Sequence, residues 1–352
     1  MFDVDQKPML ARLVRELPAG DMLYEPKWDG FRCLAYRDGA AVDLRSRHGR
    51  PLARYFPEIA AALEAVLPAR AALDGELLVL VDGRFDFPAL MARLHPAASR
   101  VRELARRTPA VFVAFDLLGA GAEDLRARPL CERRARLVAL LGDAAPPVFV
   151  TPATNDRAVA ARWLQDFRGG GLDGVVAKPC DGRYEPGARA MLKVKHERTA
   201  DCVVAGVRGT GGPPRVSALL LGLFDEDDRL EHIGVASSFT RTTQEGLARE
   251  LAPLVVALEG HPWEQGFLLG GGATGRLKGA AGRWEPGMTM DWVPLAPTRV
   301  CEVSYTQIDG RRLRHPAKLV RWRPDRAPTS CRMDQLEEPL AAPGDVLPPQ
   351  VR

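Results

Sequence analysis

The 352-residue chain predicts an α+β fold, with antiparallel sheets and flanking helices, followed by a small all-β domain. Three observations carry that reading. Short apolar runs punctuated by Asp-Gly turns dominate the first half, helical periodicities interleave with them irregularly, and beyond about Arg198 strands succeed one another almost without helices. A doubly wound sheet would alternate regularly; this sequence does not. The length suffices for two domains that each bury a core.

The elements follow in order. Asp21 to Glu25 reads as a strand, with Lys27-Trp28-Asp29-Gly30-Phe31-Arg32 as the loop after it. Phe31 to Tyr36, the turn Asp38-Gly39 and Ala41 to Leu44 form a hairpin, and Leu73 to Val81 before Asp82-Gly83 begins another. Phe56, Ile59, Leu63 and Val66 recur at helical spacing within Arg54 to Leu67. Further helices fit Phe87 to Leu94, Pro129 to Leu141 and Asp156 to Phe167. Val111 to Leu117, Gly174 to Lys178 and Met191 to Lys195 supply central strands. His196 to Ala200 is the expected linker. After it, Cys202 to Val207, Ser217 to Phe224, Leu230 to Ser237, Arg299 to Tyr305 and Lys318 to Arg321 are strands, with one helix at Thr242 to Leu258. Five strands with one inserted helix suit an OB-fold barrel. The expected domains are therefore 1–198 and 199–332, with an irregular tail over 333–352.

Composition is that of a globular chain, and no apolar run approaches the ~18 to 20 residues of a membrane span. The start, MFDVDQKPMLARL, lacks a signal-peptide pattern, so a cytoplasmic location is expected. Six scattered cysteines without a C-x-x-C pair argue against a disulfide framework or a structural zinc site, and read as reduced thiols. Net charge is only +4, but nearly all the positive charge is arginine. Arginine suits bidentate phosphate contacts, although genome composition gives the same bias. Gly270 to Gly279 does not match a phosphate-binding loop and reads as a mobile loop, with Arg276 and Lys278 available to a backbone phosphate. Gly169 to Gly171 and Gly209 to Gly212 read as turns.

Chemistry concentrates in ordered blocks. The Lys27 loop joins an amine, a carboxylate, a turn and a guanidinium, although a solvated surface turn also fits it. Leu44-Arg45-Ser46-Arg47-His48-Gly49 ends the first hairpin. Leu73-Asp74-Gly75-Glu76-Leu77 sets a carboxylate on a strand, and Phe112 to Leu118 offers an aromatic at a strand end. Asp173-Gly174-Val175-Val176-Ala177-Lys178 supplies an acid and a lysine. In Leu192-Lys193-Val194-Lys195, alternation places both lysines on one face.

In this order and spacing the blocks resemble the nucleotidyltransferase motifs of the ATP-dependent DNA ligases, a superfamily shared with capping enzymes and RNA ligases. Arg183-Tyr184-Glu185-Pro186-Gly187-Ala188-Arg189 and the late block His315 to Arg326, followed by Cys331 and Asp334-Gln335-Leu336, are similar to the small bacterial group called ligase C. The resemblance spans about Lys7 to Arg326.

It implies an adenylation domain followed by an OB-fold, and a reaction in which Lys27 attacks the α-phosphorus of ATP. A free lysine titrates near about 10.4, and neighbouring cations such as Lys193 and Lys195 favour the neutral nucleophile. AMP then passes to the 5′-phosphate of nicked duplex DNA, and the adjacent 3′-hydroxyl displaces it.

By position, Glu25 belongs to the nucleotide site. Arg32 and Arg47 would hold ribose, phosphate or the nick end, and Glu76 the ribose or a metal. Phe115 would stack on adenine unless it is simply core, and Lys193 and Lys195 would grip the α-phosphate. Asp173 would help place Mg²⁺ or Mn²⁺, and Arg321, Arg323 and Arg326 would orient pyrophosphate, although DNA backbone contacts also suit them. Asp173 departs from the glutamate common at its position and is one methylene shorter.

The 26 residues before Lys27 leave no room for a helical DNA-binding domain, so the two domains are expected to clasp DNA themselves about His196 to Ala200. A monomer is expected, in repair, with a primase-polymerase or Ku as partners. RNA ligase, GTP-using capping enzyme and catalytically silent OB-fold nucleic-acid binder are the alternatives.

Overall fold

The computed structural model describes residues 6–166, 172–195, 198–209, 215–264, 268–269, 272–273, 292–306 and 308–336. They fall into two compact units, divided between His196 and Glu197.

The first unit holds two sheets. One comprises β1 (Ala11–Leu13), β2 (Met22–Trp28), β10 (Leu172–Pro179) and β11 (Met191–Lys195), in the order β1-β11-β10-β2. The other runs β4 (Ala41–Ser46), β3 (Phe31–Asp38), β5 (Arg70–Val81), β7 (Ala110–Ala120) and β8 (Glu123–Asp124). Beside it, β6 (Arg84–Phe85) pairs with β5 and β9 (Val148–Val150) with β7. Most pairings are antiparallel, but β1 runs parallel to β11 and β9 parallel to β7, so the sheets are mixed where fully antiparallel ones were expected.

Lys27 and Trp28 are not in a loop. They are the last residues of β2, and only Asp29-Gly30 turns the chain into β3 of the other sheet. A Cβ on Gly30 would lie 2.1 Å from the Leu77 carbonyl, so only glycine passes this corner. The next hairpin turns at Gly39-Ala40, one residue later than the Asp-Gly dipeptide suggests, because Asp38 pairs with Ala41. At Asp82-Gly83 both φ angles are positive, as a two-residue hairpin turn requires.

Helices back the second sheet. α1 (Pro57–Val66) opens on proline and buries Ile59 and Leu63. α2 (Phe87–Ala92) is capped by Asp86, whose Oδ1 accepts from Ala89 N at 2.7 Å. α4 (Leu130–Leu141) buries Leu137 and Leu141, whereas α5 (Arg157–Asp166) lies instead against β2 and β10 of the first sheet. α3 (Ala98–Arg107) is a helix not expected from the sequence, since only Val101 and Leu104 are buried among its arginines. Phe56, Ile59, Leu63, Leu73, Leu77, Phe112 and Leu137 form the core on the helical face. Leu34, Tyr36, Leu118, Tyr184 and Met191 cluster on the opposite face.

The second unit is a five-stranded antiparallel sheet in the order β14-β13-β12-β17-β20, from β12 (Arg198–Gly209), β13 (Val216–Phe224), β14 (Leu230–Ala236), β17 (Val293–Tyr305) and β20 (Lys318–Trp322). Short pairs join β15 (Leu268–Leu269) to β16 (Gly272–Ala273) and β18 (Ile308–Asp309) to β19 (Arg312–Leu313). The helix expected over Thr242 to Leu258 is shorter. α6 (Arg241–Leu251) gives way to a 3₁₀ turn at Ala252–Leu254, because Pro253 cannot donate the next backbone bond.

The expected linker is also corrected. β12 begins at Arg198, and buried Ala200 pairs with Val303, which leaves only 196–197, outside the described residues. Nor is the tail irregular from its start. Met333–Leu336 is a 3₁₀ turn whose Leu336 packs in this core, while Gln335 bonds both backbone groups of Asp201. Residues 337–352, the turns at 169–171 and 210–212, and the 270–279 loop apart from Gly272–Ala273 lie outside the described residues.

Candidate active site

Strand alternation builds the site. Glu25 and Lys27 share one face of β2. β10 lies antiparallel to it with Val176 opposite Glu25, and β11 follows with Lys193 opposite Val176 and Lys195 opposite Gly174. The β10 register slips between Leu172 and Val175, where Gly174 has φ +133° and no space for a Cβ. At this irregularity Asp173 meets the two lysines. Its Oδ2 lies 2.7 Å from Nζ of Lys27 and 2.7 Å from Nζ of Lys195. Burial alone would raise the Asp173 pKa, but the two ammonium groups more than reverse that and hold it below the usual range. Lys193 titrates below the usual lysine range, through burial first and then through Lys27, Lys195 and Arg47.

A cavity of 320 Å³ opens beside this cluster, lined among others by Glu25, Lys27, Arg32, Arg47, Glu76, Phe115, Lys178, Arg189 and Lys193. Its wall carries a buried ion pair: Lys178 Nζ is 2.6 Å from Glu25 Oε2, with both side chains 3% exposed. Lys178 also donates to the Phe115 carbonyl at 3.3 Å and sits 4.7 Å from that ring's centroid. One cation thus ties β10, β2 and β7 together. The second Glu25 oxygen, Oε1, is buried with no hydrogen-bond partner among the described residues.

Arg32 reaches Asp74 through two bonds of 2.5 Å, from Nε and Nη2, and reaches the Met9 carbonyl at 3.1 Å. Asp74 also accepts from the Tyr184 hydroxyl at 2.6 Å, and that hydroxyl accepts from Met9 N. The guanidinium lies 4.5 Å from the Phe115 centroid. Burial works against this cation, but Asp74 more than offsets it, so its pKa is raised. Glu76 Oε1 accepts from Gly30 N at 3.2 Å, and burial pushes its carboxyl up to about 7 against the pull of Arg32 and Lys27.

Of the residues singled out in the sequence, Glu25, Lys27, Arg32, Arg47, Glu76, Phe115 and Lys193 line the cavity, while Asp173 pairs with Lys27 and brings in Lys195. Arg321, Arg323 and Arg326 lie in the second unit. There Arg321 pairs with Glu302 at 2.6 Å, Arg323 with Asp201 at 2.9 Å and Asp325 at 2.8 Å, and Arg326 with Asp201 at 3.3 Å. Asp74, Lys178 and Tyr184 had no assigned role. The available signal was parity, since Asp74 shares a strand face with Glu76, and Lys178 with Val176 opposite Glu25. Among the described residues, no three His, Cys, Asp or Glu gather to hold a metal, and no helix is long and apolar enough to cross a membrane.

Residues 6–195 match the family model described as an ATP dependent DNA ligase domain, and residues 213–326 the model of an ATP dependent DNA ligase C terminal region. DNA ligase C2 of Mycolicibacterium smegmatis is 50% identical over 94% of this chain and 94% of its own length. DNA ligase C of Mycobacterium tuberculosis is 50% identical over 97% of this chain and 96% of its own. A solved Lig E DNA ligase shares the fold at a TM-score of 0.55 and 17% identity, over 92% of this chain and 100% of that one.

Proposed function

The chain belongs to the ATP-dependent DNA ligases, in the ligase C group, and from that premise we propose that Lys27 is its point of covalent attachment for AMP. The observation that carries the proposal is the meeting of Lys27, Lys195 and Asp173 at a cavity whose wall presents Glu25 and Phe115. Lys27 would leave Asp173, lose its proton and attack the α-phosphorus of ATP. An N–P bond forms and pyrophosphate departs. AMP then moves to the 5′-phosphate of a nick, and the 3′-hydroxyl displaces it. Lys193 and Lys195 would balance charge on the phosphoryl oxygens, the largest demand in such chemistry.

Base recognition is assigned to Glu25 and Phe115. A buried carboxylate oxygen with no hydrogen-bond partner among the described residues suits the exocyclic amine of adenine, whereas guanine presents an oxygen at the same place. Lys178 would hold the Glu25 carboxylate in place for this task. Glu76 and Arg47 would meet ribose and phosphate, with Arg32 held ready by Asp74 and Tyr184.

Asp173 and Glu76 would hold Mg²⁺ or Mn²⁺, whose hard-oxygen preference suits carboxylates. When bound, the cation would supply further neutralisation of phosphate charge. For the second unit we propose that its five strands close as an OB-fold, that it and the first unit clasp nicked duplex DNA, and that Arg321, Arg323 and Arg326 orient pyrophosphate. Domains divided near 196–198, a monomer, and a repair role alongside a primase-polymerase or Ku complete the reading. It is supported by likeness to an end-joining LigD of Pseudomonas aeruginosa, 34% identical over 86% of this chain but only 33% of that protein.

The test is incubation with α-labelled ATP or GTP and Mg²⁺, followed by nicked DNA or RNA ends. Label from ATP on wild type but not on Lys27→Ala, chased into sealed DNA, is expected. Label retained by Lys27→Ala sinks the assignment, and preference for GTP or RNA ends favours a capping enzyme or an RNA ligase.

A further inference from the structure

Cys131 and Cys180 stand outside the ligation chemistry, yet the fold brings them together. Cys131 is exposed at the start of α4, and Cys180 is buried just after the last residue of β10. The Cys131 amide donates to the Cys180 carbonyl at 3.0 Å. In regular ladders such a contact sets the two Cα atoms about 5 to 6 Å apart, within the window a disulfide bridges. Burial and then Asp21 push the Cys180 thiol up to about 11, Cys131 adds to that as a lesser influence, and the Cys180 sulfur accepts from Asn155 Nδ2 at 3.4 Å.

We propose that Cys131 and Cys180 form a redox modification site, in which an exposed thiol is oxidised by a peroxide and resolved by its buried neighbour. The Cys131 thiolate attacks one peroxide oxygen. An S–O bond forms, the O–O bond breaks, and with hydrogen peroxide the leaving hydroxide takes a proton and becomes water. Cys180, losing its proton, then attacks the Cys131 sulfur and expels the second oxygen as water. Two thiols and one peroxide become one disulfide and two waters. The bond ties the first turn of α4 to the strand that carries Asp173 and Lys178. It also spares Cys131 from irreversible oxidation, the usual fate of an exposed thiol without a resolving partner.

The other described cysteines are all buried, so native full-length protein should take up one maleimide, at Cys131. After treatment with equimolar hydrogen peroxide, maleimide uptake should fall to zero with loss of two hydrogens in mass. Non-reducing peptide mapping should recover Cys131 joined to Cys180, and thiol reductant should restore the label. Cys180→Ser should abolish the cross-link and leave Cys131 as a sulfenic acid that dimedone traps. The proposal is overturned if Cys131 remains maleimide-reactive after peroxide, if it appears as sulfinic acid while Cys180 stays free, or if it pairs instead with a second chain.

Discussion

Glu76 is a carboxylate held against its own ionisation. Its pKa moves from 4.5 to about 7 because burial outweighs Arg32 and Lys27. Between those values the folded state keeps a proton that the unfolded chain has released, so stability falls as pH rises through this window, by up to about 3 kcal/mol. Chemical denaturation at pH 5 and pH 8 should reveal that slope, and Glu76→Gln should flatten it; an unchanged slope would remove Glu76 as its source. Glu25→Gln keeps the shape of the base wall but adds an amide donor. It should raise the KM for ATP about 5- to 150-fold, equivalent to ~1–3 kcal/mol, and narrow the ATP-to-GTP ratio in lysine labelling. Lys27, Glu76 and Asp173 were legible as candidates because their blocks follow one another in a recognisable order. Asp74, Tyr184 and Lys178 were not given roles, since their partners lie far along the chain: Tyr184 bonds an acid 110 residues away.

At the level of elements, a buried ion pair ties α4 to β7. Arg133 on α4 reaches Asp116 on β7 through bonds of 2.8 and 2.9 Å, with both side chains almost fully enclosed. Arg133→Met would strand that carboxylate, costing about 3–5 kcal/mol, whereas Asp116→Leu combined with Arg133→Met should recover much of the loss. A urea midpoint that barely moves in the single variant would contradict this. Tyr184→Phe leaves Asp74 and Met9 N each short of a partner and should cost about 1–3 kcal/mol. Strand positions were readable because alternation and Asp-Gly turns are local signals. Three boundaries escaped that reading for identifiable reasons: Lys27 is drawn into β2 by pairing with β10, α3 lacks an apolar stripe beyond Val101 and Leu104, and α6 ends early at Pro253.

On the scale of the molecule, the three late arginines test whether the second unit takes part in lysine adenylylation. Arg321 is 63% exposed, so its pair with Glu302 contributes little, and Arg321→Ala should shift stability by no more than about 0.5 kcal/mol. A fall of about tenfold in label uptake by that variant, at unchanged melting temperature, would place the residue in the reaction; unchanged uptake would leave it a surface cation. Arg323 is a poorer probe, because it also holds Asp201 and Asp325 and its removal disturbs the unit that carries it. Sequence alone determined the family, the order of the chemical blocks and most strands, because these depend on residue type, spacing and two-residue periodicity along the chain. Only the tertiary structure decided that Lys27 lies on a strand paired with Asp173, that Lys178 holds Glu25, and that Cys131 meets Cys180. Those contacts join residues from about 49 to 153 positions apart, and at such separations packing selects the partner.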